Sequence, residues 1–101
     1  MADAFVESKL RDGRVTLFVK SGCPYCRNAK DLLKRYNFVP GGLEVCDIAE
    51  REDLQESLQR RTGRRTVPHV FFGRHCIGGL SDLESMRWKL PAILRQIGAL
   101  R

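Results

Sequence analysis

No apolar run in this 101-residue sequence approaches the ~20 residues that a membrane-spanning helix needs, which excludes a helical membrane protein. The first residues, "MADAFVESKL", set Asp3 and Glu7 among apolar positions and lack the basic-then-apolar layout of a secretory signal. The cytosol is therefore the expected compartment, and no membrane association is expected. There is no internal repeat, low-complexity tract or linker, so a single domain over residues 1–101 is expected. A second Cys-x-x-Cys and a zinc-type pair of histidines are also missing. Only Cys46, Cys76, His69 and His75 could complete a site begun by Cys23 and Cys26, and a closed zinc site needs four ligands. No metal is expected. Carboxylates are the scarcer charge: 12 Asp+Glu stand against 18 Lys+Arg, a net charge of +6. The stretch "RRTGRR", residues 60–65, concentrates part of that excess. Nucleic acid, a small anionic substrate steered by the field, or a merely solvated face would each fit it.

What is present is a chain with 43% hydrophobic residues and turn signals at Gly13, "PGG" 40–42, Gly63, Gly73 and Gly78–Gly79. Phe5, Val6 and Leu10 fit a short helix that Gly13 ends. Val15 to Lys20 is rich in β-branched and aromatic residues, as a strand buried on both faces requires. From Pro24 the period changes, and Tyr25, Ala29, Leu32, Leu33 and Tyr36 recur at helical spacing. Leu43 to Ile48 alternates like a strand, and Leu54 and Leu58 mark a helix ending near Gly63. "HVFF" and "HCI", joined across Gly73, read as an antiparallel hairpin. Ser81 and Glu84 have capping-box spacing for a helix whose apolar face is Leu83, Met86 and Leu90. Pro91 opens a last helix through Leu94 and Ile97. A strand–helix–strand unit followed by a hairpin and helices predicts a mixed sheet covered on both faces.

The chemistry lies in "SGCPYCRNAK", where a strand hands over to a helix. A helix starting near Pro24 puts Cys23 at its N-cap side, against unpaired backbone N–H groups and the positive end of the helix dipole. Lys20 and Arg27 add positive charge. Thiols in such settings fall from about 8.5 to between about 3.5 and 7.5. Cys26, about one turn on, should point its thiol back toward Cys23. Cys23 is thus the expected nucleophile, and Cys26 the resolving thiol or a hydrogen-bond donor.

With those residues in view, "CPYC" at 23–26, "TVP" at 66–68 and "GGLSD" at 78–82 together resemble the glutaredoxins, in particular the small dithiol thioltransferases of vertebrate cytosol. The resemblance runs from "FV" at 5–6 to "IGAL" at 97–100. It implies an α/β thioredoxin fold, a four-stranded mixed sheet flanked by helices on both faces. It also implies an enzyme that uses glutathione to reduce protein–glutathione mixed disulfides and small disulfides, through a redox-active Cys23–Cys26 pair. By the resemblance, Lys20 and Gln55 hold the glycyl carboxylate of glutathione. Thr66 and Val67 pair main chain to main chain with the tripeptide, and Pro68 is a cis-proline. Gly79, Ser81 and Asp82 take the γ-glutamyl end, and Tyr25 stands beside the bound sulfur. The partners implied are glutathione and glutathionylated or disulfide-containing proteins, with no nucleic acid; nothing signals oligomerisation, so a monomer is expected.

The chain departs from the family pattern at position 69, His where close relatives often carry Arg, and "IAEREDLQ", 48–55, is shorter than in some relatives. Cys46 reads as a small buried residue, and Cys76 as a candidate for glutathionylation or oxidative dimerisation. A rival reading has two chains bridging an iron–sulfur cluster through Cys23 and bound glutathione; Pro24 argues against it.

Overall fold

The computed structural model describes residues 1–101. Helix α1 is Ala2–Lys9, followed by strand β1 at Val15–Val19 and helix α2 at Pro24–Leu33. Strand β2 is Leu43–Asp47, helix α3 is Glu52–Thr62, and strands β3 and β4 are His69–Phe72 and His75–Gly78. Helix α4 spans Leu80–Ser85, and a short 3-10 turn, Arg87–Lys89, leads into α5, Leu90–Gln96. No helix is long and apolar enough to cross a membrane.

The four strands form one sheet in the order β2-β1-β3-β4. β1 pairs parallel with β2, Val15 opposite Leu43 through Val19 opposite Asp47, because α2 carries the chain back across the sheet. β3 pairs antiparallel with β1 and turns through Gly73 into β4. All five residues of β1 are buried, the consequence of a central strand with helices on both sides. Alternate residues serve two cores. Val15, Leu17, Val19, Val70 and Phe72 meet α2, α4 and α5, whereas Phe18 and Phe71 meet α1 and α3. Those two rings pack edge to face, 5.7 Å between centroids at 84°.

Local signals set the helix limits. Gly63 ends α3 at φ 77°, a left-handed cap, with Arg60 and Arg61 in the last turn against the negative helix end. The cap expected at Ser81 and Glu84 is displaced. Gly79 is the N-cap of α4, and its N–H donates to Asp82 Oδ2 at 2.9 Å. The helix also stops sooner than its apolar spacing suggests: Leu83 lies on α4 and Leu90 opens α5, yet both are fully buried in the same core. A further pairing leaves no local trace. Residues 37–39 run antiparallel to 99–101, with Val39 N–H donating to Ala99 O at 2.9 Å and Arg101 N–H to Asn37 O at 3.0 Å.

The run "RRTGRR" is not a free basic surface. Arg60 pairs with Asp3, Arg61 with Glu7, Arg64 with Asp82 and Arg65 with Glu52. Four carboxylates answer its four guanidinium groups.

Candidate active site

Strand β1 delivers the chain to the start of α2, where Cys23 is the N-cap residue and Pro24 the first helical residue, which has no N–H to leave unpaired. Cys23 is half-buried, and its Sγ accepts the Cys26 backbone N–H at 3.2 Å. Cys26, one helical turn on, is 1% exposed. Burial first, and then its hydrogen bond to Cys23, pushes the Cys26 thiol up to about 12. It is a proton-holding donor aimed at the neighbouring sulfur. Both cysteines are free thiols.

Next to this pair opens a cavity of about 780 Å³, a size suited to a small peptide. Lys20 and Tyr25 form one part of its lining. The segment from Arg64 to Pro68 forms a second, and Gly79, Leu80, Ser81 and Glu84 a third. Neither Cys23 nor Cys26 contributes surface to it; the residues flanking them do. Tyr25 is 66% exposed, so it belongs to the cavity although its spacing matches the apolar stripe of α2. Lys20 is in no ion pair, which leaves its ammonium available. The Val67–Pro68 peptide bond is cis. Thr66 and Val67 make no backbone hydrogen bond within the chain, so this wall is an open edge.

Two residues expected at the ligand are not part of the cavity lining itself. Gln55 is 3% exposed on α3 and does not reach the cavity; its Nε2 donates to the Arg65 carbonyl, and its Oε1 is buried without a partner. Asp82 does not line the cavity either, but its carboxylate binds two groups that do, the Gly79 N–H and the Arg64 guanidinium. Those two donors, Gly79 first, hold its carboxyl below the usual range. Gly78 makes this arrangement possible. It adopts φ 118°, and a Cβ there would overlap the Asp82 carboxylate.

Sequence reasoning did not assign Arg64 and Arg65 to the cavity, although "RRTGRR" runs directly into "TVP" and carried the signal. His69 supplies no charge: it is 1% exposed, and burial, with Arg64 nearby, lowers it from 6.5 to about 4. Cys46 and Cys76 are half-buried on the α1–α3 side, and burial pushes both thiols up. No group of three or more His, Cys, Asp or Glu side chains gathers at any point.

A dithiol at the start of the helix that follows the central strand, next to a cis-proline segment on a four-stranded mixed sheet, defines a thiol–disulfide oxidoreductase of the thioredoxin fold. The family model described as glutaredoxin matches residues 15–77. The chain is 62% identical to Glutaredoxin-1 of Gallus gallus over 100 residues, covering 99% of each, and 50% identical to Glutaredoxin-1 of Sus scrofa over 106 residues, covering 100% of each. Its fold is similar to that of a buckwheat glutaredoxin–glutathione complex, with a TM-score of 0.88 and 27% identity over 100% of this chain and 94% of that one. The chain belongs to the glutaredoxin family and is a glutathione-dependent thiol–disulfide oxidoreductase.

Proposed function

We propose that this chain reduces protein–glutathione mixed disulfides and low-molecular-weight disulfides, with Cys23 as nucleophile and Cys26 as the resolving thiol. The supporting observation is that the Cys26 backbone N–H donates to the sulfur of Cys23 at 3.2 Å, with the buried Cys26 thiol one helical turn away, beside an open groove. Hydrogen bonds of this kind stabilise negative charge on sulfur, the form that attacks a disulfide.

The Cys23 thiolate attacks the glutathione sulfur of a protein mixed disulfide. The old S–S bond breaks, and its electron pair leaves on the protein sulfur, which then takes a proton. Glutathione is now joined to Cys23. The thiolate of a second glutathione attacks the glutathione sulfur of that bond, giving oxidised glutathione and restoring Cys23. With other disulfides Cys23 first forms a mixed disulfide with one half of the substrate. The Cys26 thiolate then attacks the Cys23 sulfur and expels that half as a thiolate, closing a bridge that two glutathiones reopen. Burial disfavours the Cys26 thiolate that this step needs, which favours the route through the second glutathione.

Bound glutathione lies extended along the unpaired edge of Thr66 and Val67, beside Pro68. Lys20 takes its glycyl carboxylate, and Tyr25 covers its sulfur. Gly79, Ser81 and Asp82 receive the γ-glutamyl end, Asp82 through its carboxylate. Gln55 acts one step back by holding the Arg65 carbonyl. The chain works as a monomer on glutathionylated or disulfide-containing proteins in the cytosol, where its four free thiols stay reduced.

In a glutathione-coupled assay Cys23→Ser abolishes turnover. Cys26→Ser keeps reduction of glutathione mixed disulfides and loses the dithiol route. Activity retained by Cys23→Ser would overturn the assignment of roles.

A further inference from the structure

The end of the groove that Asp82 serves already contains a cation. Arg64 lines the groove, and its Nη1 donates to Asp82 Oδ2 at 3.0 Å, the same oxygen that accepts the Gly79 N–H. Both bonds converge on one oxygen, leaving Oδ1 for a ligand's donor. They also use one of the five N–H donors of the guanidinium, leaving the rest of the fork open. Arg65, the adjacent arginine, is turned away to Glu52 and Gln59. Arg64 is therefore the guanidinium that faces this end of the groove with donors to spare.

The γ-glutamyl end of glutathione is a zwitterion, with an ammonium and a carboxylate on one carbon. Asp82 complements only the ammonium. A carboxylate brought next to Asp82 would be repelled unless a cation stood beside it.

We infer that Arg64 is a specificity residue for the γ-glutamyl group: it binds the α-carboxylate while Asp82 binds the α-ammonium of the same carbon. Without ligand the two side chains pair with each other, which keeps both charges compensated and in place. The ligand inserts as a second ion pair against the first, so that each positive group has two negative neighbours. The Arg64–Asp82 pair is 48% and 35% exposed, so opening it to a ligand takes little free energy. This inference rests on the glutathione groove proposed above.

The test uses mixed disulfides of a single-cysteine reporter protein with glutathione, with γ-aminobutyryl-Cys-Gly, which lacks the α-carboxylate, and with 2-mercaptoethanol. For the glutathione disulfide, Arg64→Ala should raise KM about tenfold, equivalent to about 1.4 kcal/mol at 25 °C, and leave kcat within about twofold. Arg64→Lys should recover most of that loss. With the γ-aminobutyryl disulfide the native enzyme and Arg64→Ala should have the same KM. An equal loss on both tripeptides would make Arg64 a structural residue and overturn the inference. An unchanged or lowered KM for the glutathione disulfide would do the same. If the native enzyme fails to prefer the glutathione disulfide over that of 2-mercaptoethanol, the groove itself is wrong, a result distinct from failure at Arg64.

Discussion

At the scale of single residues, the same solvent exclusion shifts a cysteine and a histidine in opposite directions and leaves both uncharged. Burial raises Cys26, whose charged form is the anion, and lowers His69, whose charged form is the cation. For His69 the consequence for stability falls in the acid range. Its imidazole stays neutral in the folded protein down to about pH 4 but takes up a proton near 6.5 when unfolded. Between those values the unfolded chain binds more protons, so stability is complete above about 6.5 and declines as pH falls toward 4. The decline amounts to roughly 3 kcal/mol over that window. Urea midpoints measured from pH 7 to pH 4 should fall for the native protein. They should fall much less for His69→Leu, in which only the carboxylates are left to take up protons near pH 4. Position 69 could be noticed from the sequence as an uncharged departure from the family, but its burial against β1, opposite Phe18, could not.

At the scale of elements, what could be read depended on how far apart the deciding atoms lie in the chain. The N-cap role of Cys23 is decided within a few residues, by Pro24 and the period that follows it, and the sequence showed it clearly. The fully buried β1 was legible for the same reason, since a run of apolar β-formers needs no partner to be recognised. The cap of α4 was misread because Ser81–Glu84 and Gly79–Asp82 both satisfy the spacing, and the choice between them is made by Gly78. Only glycine fits there, with its φ of 118° and the Asp82 carboxylate occupying the place of a Cβ. Gly78→Ala should therefore displace Asp82, lower the melting temperature by several degrees, and raise KM for glutathione mixed disulfides more than it lowers kcat. A thermal melt with parallel kinetics checks this. Gln55 was expected at the ligand only through the family resemblance, and its burial was not legible, because the rotation of α3 about its axis is fixed by α1 and the sheet, far away in sequence.

At the scale of the whole molecule, strand order and the pairing of residues 37–39 with 99–101 depend on long-range meetings that leave no local period. The type of most elements and the β3–β4 hairpin were legible in the sequence, but the places of β1 and β2 in the sheet were not. The two cores share β1 and β3, so a loss on one face is felt throughout the fold. Phe18→Ala, which removes one ring of the edge-to-face pair, should cost about 3–5 kcal/mol in a urea denaturation. The sheet has another consequence, for the sulfur atoms. Cys23 and Cys26 pack into the core shared by α2, α4 and α5, and Cys46 and Cys76 into the other. Cys46 and Cys76 are further set apart on the two outermost strands, with three strand spacings, or about 14 Å, across the sheet alone, far beyond disulfide reach. The backbone is thus a bulkhead between the Cys23–Cys26 pair and the other two thiols, and an oxidant reaching this molecule finds a single pair able to close on itself.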